Sequence, residues 1–137
     1  MEENIWNLLI TMKKATHYWV YILLCDNGNY YTGYTNNLLR RYFQHLTGKG
    51  NCKYTRSFRP LKIAQAWIIF EDQGIALKVE NFVKRRNKKI KTVLVKDPDQ
   101  LKSMMLNKLG LNYQIHPFDP AIIDRLSLLW CSISVAQ

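Results

Sequence analysis

The sequence is short of acid, of cysteine and of long apolar runs, and each shortage excludes something. Against 20 Lys and Arg it carries only 10 Asp and Glu, a formal charge of +10 over 137 residues. An imbalance of that size favours a polyanionic partner over a neutral one. The three cysteines, Cys25, Cys52 and Cys131, are odd in number and widely scattered. Such a set fits neither a disulfide framework nor a zinc motif, so reduced and metal-free thiols are expected. No apolar run reaches the roughly 18 residues of a membrane-spanning helix, and no membrane association is expected. Glu2 and Glu3 stand where a secretory leader would carry positive charge, so a cytoplasmic location is expected. Six glycines and four prolines are too few for a low-complexity chain, while 47% apolar and 22% charged residues suit a globular domain. Length allows one core of ordinary size, with some decoration.

The positive charge is concentrated. Between Leu38 and Lys96 lie 15 of the 20 basic residues and only three acids, Glu71, Asp72 and Glu80, so this segment holds +12 and the remainder −2. Tyr42, Tyr54, Phe58 and Phe82 are interleaved with it. Localised cations among aromatic rings are what a nucleic-acid partner selects.

Periodicity divides the chain into an N-terminal extension over 1–16, a domain over 17–96 and a C-terminal helical or irregular appendix over 97–137. Tyr18 to Cys25 is rich in aromatic and β-branched residues and reads as a strand. The Asp26-Asn27-Gly28-Asn29 turn then returns the chain as Tyr30 to Thr35, a β-hairpin. Gly33 within the second strand is unfavourable unless something approaches the backbone there. Asn36 or Asn37 caps an amphipathic helix with Leu39, Tyr42, Phe43 and Leu46 on one face, ending near Gly48 or Gly50. A basic loop over 49–60 leads to a third strand, Ile63 to Phe70. A second helix follows from Ile75 to about Lys88, and further short helices flank Asp97-Pro98. Pro117 and Pro120 break the chain before an apolar tail, LSLLWCSISVAQ. The expectation is an α/β fold: a three-stranded, mostly antiparallel sheet flanked by helices in the order β-β-α-β-α.

Several pieces in this order resemble the GIY-YIG endonuclease superfamily. They are Trp19-Val20-Tyr21, Tyr31-Thr32-Gly33, the helix Asn37 to His45, and Ala76-Leu77-Lys78-Val79-Glu80. The stretch from Gly48-Lys49-Gly50 through Lys53-Tyr54-Thr55-Arg56 to Arg59-Pro60 is similar to its small single-domain, YhbQ-like bacterial branch. That branch is in turn similar to the nuclease domain of the structure-specific Slx endonuclease. The resemblance implies a metal-dependent endonuclease that hydrolyses DNA phosphodiester bonds, with a role in repair or recombination. It implies Tyr21 as general base or water-orienting residue, Tyr31 as its partner, Arg41 as stabiliser of the transition state, His45 as support, and Glu80 as the protein ligand of Mg²⁺ or Mn²⁺. Gly33 would leave room for close packing below the site.

The residues suit that chemistry without the name. A phenol can act as a general base, and Arg41 and His45, four apart, share one helix face. A guanidinium can hold a phosphate and the charge that builds on it. A lone carboxylate suits a hydrated hard cation. DNA backbone contacts are expected from Arg40, Lys49, Lys53, Arg56, Arg59, Lys84, Arg85, Arg86 and Lys88, and no small-molecule cofactor.

Taken singly, each residue has a commoner role. Strand tyrosines pack, a histidine near a helix end caps it, and Glu80 can pair with Lys84 one turn away. Two other functions therefore stand beside the nuclease. One is a binding module that keeps the basic face without turnover. The other is an interaction protein whose apolar tail docks onto a larger repair assembly or a second copy.

Overall fold

The computed structural model describes residues 17–126 and 128. The expected extension over 1–16, most of the apolar tail, and Cys131 lie outside the described residues.

Strands β1 (Tyr18–Cys25) and β2 (Tyr30–Thr35) form the expected hairpin, with Gly28 in the left-handed region at φ 79°. Helices α1 (Leu38–Thr47) and α2 (Lys53–Ser57) follow, then β3 (Pro60–Ile69). Next come α3 (Gln73–Lys84), α4 (Lys88–Lys96), α5 (Gln100–Leu109) and β4 (Ile115–Phe118), and residues 120–126 are helical. The sheet runs β2-β1-β3-β4 with every neighbouring pair antiparallel.

The strand count corrects the expectation of three. β4 pairs with β3 from Ala66↔Phe118 to Ile69↔Ile115. Pro117 hides it in the sequence, since proline cannot donate to a ladder. An edge strand tolerates that loss. Two smaller differences are local. The stretch read as a basic loop contains the short helix α2, and the second helix ends at Lys84 because Asn87 caps a new one, accepting a hydrogen bond from Ile90 N at 2.9 Å.

β1 is almost continuously apolar because both its faces are covered. Val20 and Ile22 join Val79, Phe82 and Val83 of α3, Leu94 of α4, and Leu101 and Met105 of α5 in one core. Tyr21, Leu23 and Cys25 join Leu38 and Tyr42 of α1 and Ile123 in a second core on the other face. The result is a three-layer sandwich with the sheet in the middle. Trp67 and Ile115, each 3% exposed or less, lie in the first core, so the chain after Lys96 shares it with the hairpin. Among the described residues no helix is long and apolar enough to cross a membrane.

Candidate active site

The site is built on the hairpin and α1. Asn37 caps α1, its side chain accepting from Arg40 N at 3.1 Å. Gly48 closes the helix in the left-handed region at φ 71°. Within it Leu38, Tyr42 and His45 turn toward the sheet. His45 is 1% exposed and lies against Tyr21, its Nε2 2.8 Å from the phenol oxygen.

A hydrogen-bond chain extends that contact to α2. The Thr55 hydroxyl lies 2.8 Å from His45 Nδ1 and 3.3 Å from the Cys52 carbonyl, and when it donates to that carbonyl it accepts from Nδ1. In that arrangement His45 carries its proton on Nδ1 and Nε2 accepts from the Tyr21 hydroxyl. Burial, with Arg41 as the lesser cause, lowers the His45 pKa to about 4, so the ring is neutral near pH 7. Burial also raises the Tyr21 phenol well above its usual range. Tyr31 adds to the rise and the nearby Arg41 guanidinium opposes it.

Arg41 is held open-handed: Nη1 donates to Gln44 Oε1 at 3.0 Å and Nη2 to the Asn51 carbonyl at 2.8 Å. Both acceptors are neutral, so the guanidinium keeps its full charge for an anion. Tyr31 is half-buried, with its ring centroid 5.2 Å from that of His45 and 6.4 Å from that of Tyr21. Its other neighbour is Tyr54 of α2, stacked at 5.5 Å with the ring planes 24° apart.

Gly33 answers the question raised by its place in a strand. It pairs with Tyr21 in the ladder, and a Cβ there would sit 2.5 Å from the Tyr21 phenol oxygen. The tyrosine lies across the neighbouring strand where a side chain would have been.

Tyr21, Tyr31, Arg41 and His45 are thus brought together. Glu80 comes from α3, whose Val79, Phe82 and Val83 pack in the other core, and its carboxylate has Lys84 Nζ at 3.7 Å. Burial raises its pKa and Lys84 opposes the rise. Among the described residues no cluster of three His, Cys, Asp or Glu could cage a metal. The residues fit a different arrangement. A largely buried carboxylate with one loose partner keeps spare acceptor capacity, which suits a hydrated hard cation held by one protein ligand, water and phosphate.

The basic residues fall into two groups. Lys49, Lys53, Arg56 and Arg59 surround α2, while Lys84, Arg85, Arg86 and Lys88 surround the α3–α4 turn. Arg40, exposed on α1, donates to Asn36 Oδ1 at 3.1 Å, and Arg86 is held over the Phe82 ring at 4.3 Å. Thr55 and Tyr54 were missed as site residues, although the Lys53-Tyr54-Thr55-Arg56 stretch marked the place. No local pattern signals that α2 docks against His45.

With this geometry in view, the chain belongs to the GIY-YIG family: residues 17–93 match the GIY-YIG catalytic domain, which is a nuclease domain. It is similar to a UPF0213 protein of Fusobacterium nucleatum, 37% identical over 82 residues, covering 60% of this chain and 80% of that one. A UPF0213 protein of Listeria monocytogenes is 39% identical over 80 residues, covering 58% and 87%. The solution structure of a UPF0213 protein from Bacillus halodurans is 34% identical, covers 66% of this chain and 97% of that one, and aligns with a TM-score of 0.37. The single-domain bacterial branch suggested by the residues is the one these relatives represent.

Proposed function

We propose that the protein is a metal-dependent endonuclease that hydrolyses DNA phosphodiester bonds, leaving a 5′-phosphate and a 3′-hydroxyl. The observation that carries this reading is the buried contact between Tyr21 and the neutral His45 beside Arg41. Tyr21 is 1% exposed, so the attacking water meets the cluster from the half-buried Tyr31 and Arg41 side. As the water oxygen bonds to phosphorus, its proton passes to the Tyr21 oxygen and the Tyr21 proton to His45 Nε2, while the P–O3′ bond breaks and the departing 3′ oxygen takes a proton from bulk water. No free phenolate is needed, which matters because burial makes one so unfavourable. Arg41 takes up the charge that develops on the phosphate oxygens. Glu80 would hold Mg²⁺ or Mn²⁺, which supplies Lewis-acid polarisation of the phosphate when bound. Lys49, Lys53, Arg56, Arg59 and the Lys84–Lys88 group would hold flanking phosphates.

The full chain with Mg²⁺ should nick plasmid or branched DNA. Glu80→Ala and Arg41→Ala should each lower the rate by at least about a hundredfold, the scale of a lost electrostatic contact to the transition state, with unchanged melting temperature. Robust cutting by Glu80→Ala would remove that residue from the site. Salt-sensitive binding with no metal-dependent product would instead favour a module without turnover.

A further inference from the structure

One cavity of about 290 Å³ is lined by Asn29, Tyr30, Tyr54, Lys88 and Lys91, on the hairpin turn, α2 and α4. Its size is near the lower end for small-ligand sites, of order 300 Å³. Two aromatic and two cationic side chains line it, together with Asn29. Tyr30 is tied to α4 by its hydroxyl, 3.4 Å from Thr92 Oγ1. The Tyr54 hydroxyl accepts from Asn27 Nδ2 at 3.1 Å, so its own proton remains free for a ligand. Lys88 and Lys91 are three apart on one face of α4, and neither pairs with a carboxylate among the described residues. Burial and the neighbouring Lys84 make Lys91 hold its proton less tightly than an ordinary lysine.

The cavity adjoins the catalytic group. Tyr54 stacks on Tyr31, and Tyr31 lies 5.2 Å from His45, so the cavity wall is one ring away from the reacting centre. Tyr54 also brings the basic group of α2 to the same wall as Lys88 of α4.

We propose that the cavity is a nucleotide subsite that takes one unstacked nucleotide next to the scissile bond, its phosphate on Lys88 and Lys91 and its base against Tyr30 and Tyr54. This rests on the nuclease reading for the identity of the strand. Aromatic walls with backbone cations are how proteins hold unpaired bases without reading their sequence. The subsite requires the strand to give up one stacked base, so it favours DNA that is already unpaired or distorted there.

The test is an NMR titration of the ¹⁵N-labelled full chain in EDTA, so that no cutting occurs, with 5′-phosphorylated thymidine dinucleotide. Parallel arms use thymidine and inorganic phosphate. The amides of Asn29, Tyr30, Tyr54, Lys88 and Lys91 should shift together and saturate. Lys91→Ala and Tyr54→Leu should each weaken binding at least about fivefold, the lower range for losing one stacked base or charge contact. Inorganic phosphate binding the cavity as tightly as the dinucleotide would overturn the proposal, leaving a bare anion site. Shifts spread over the basic surface but absent from the cavity would also overturn it, as would undiminished binding by Lys91→Ala. Cleavage in Mg²⁺ is read separately: binding in the cavity without cutting sinks the nuclease reading alone, and cutting without cavity shifts sinks the subsite alone.

Discussion

At the residue scale, the site depends on a position that does no chemistry. Gly33 leaves the space into which the Tyr21 phenol lies. Gly33→Ala would place a methyl 2.5 Å from that oxygen, and the ring must move away from His45 Nε2. The expected outcome is a loss of about 1–3 kcal/mol in urea unfolding, typical of overpacking, together with slower cleavage. A variant as stable and active as the parent would show that the ring has another resting place. His45 makes a pH prediction. Its pKa is about 4 in the folded chain against 6.5 for an ordinary histidine, so between these values the unfolded state binds more protons. Stability is full above pH 6.5 and falls as pH drops toward 4, by at most about 3 kcal/mol and by less where solvent screens the ring. Unfolding free energies at pH 7 and pH 4.5 should show this loss for the parent, and a smaller one for His45→Gln.

At the element scale, α2 has five residues and still decides the state of the site. It delivers Thr55 to His45 Nδ1, and through that bond fixes which nitrogen faces Tyr21. Thr55→Val keeps the shape and removes the acceptor. It should cost about 1–3 kcal/mol, the range for a buried donor left unpaired. With the tautomer released, kcat should fall roughly tenfold or more while KM stays unchanged. Thr55→Ser should restore most of both. Equal kcat in the valine variant would mean that α2 merely packs. The sequence pattern could not show this element, since KYTRS has no apolar period and a basic composition that reads as loop. The same holds for β4, where Pro117 reads as a break and only pairing with Ala66 to Ile69 makes a strand. The hairpin and α1 were legible because their signals are local: a turn with glycine, an asparagine cap, and a repeating apolar face.

At the scale of the whole molecule, the net charge of +10 sets how the protein meets DNA, and its distribution sets where. Binding should weaken linearly in log–log form with added salt. Replacing Lys53 and Arg56 together by alanine should reduce the magnitude of that slope by about 2, one unit for each lost phosphate contact. An unchanged slope would place the backbone elsewhere on the surface. The sequence by itself determined the family, the central hairpin, the capped helix that carries Arg41 and His45, and the concentration of positive charge. These are written in turn residues, caps, periodicity and residue type, all of which act over a few neighbours. The tertiary structure decided that Tyr21 lies across Gly33, that Thr55 of α2 meets His45 Nδ1, and that Glu80 on α3 is largely buried. It also decided that a cavity opens between the hairpin turn and α4. Each of these joins segments between 10 and about 60 residues apart, such as Thr55 with His45 and Tyr30 with Thr92. Packing around two cores, one on each face of the sheet, brings such segments together, and no local pattern records it.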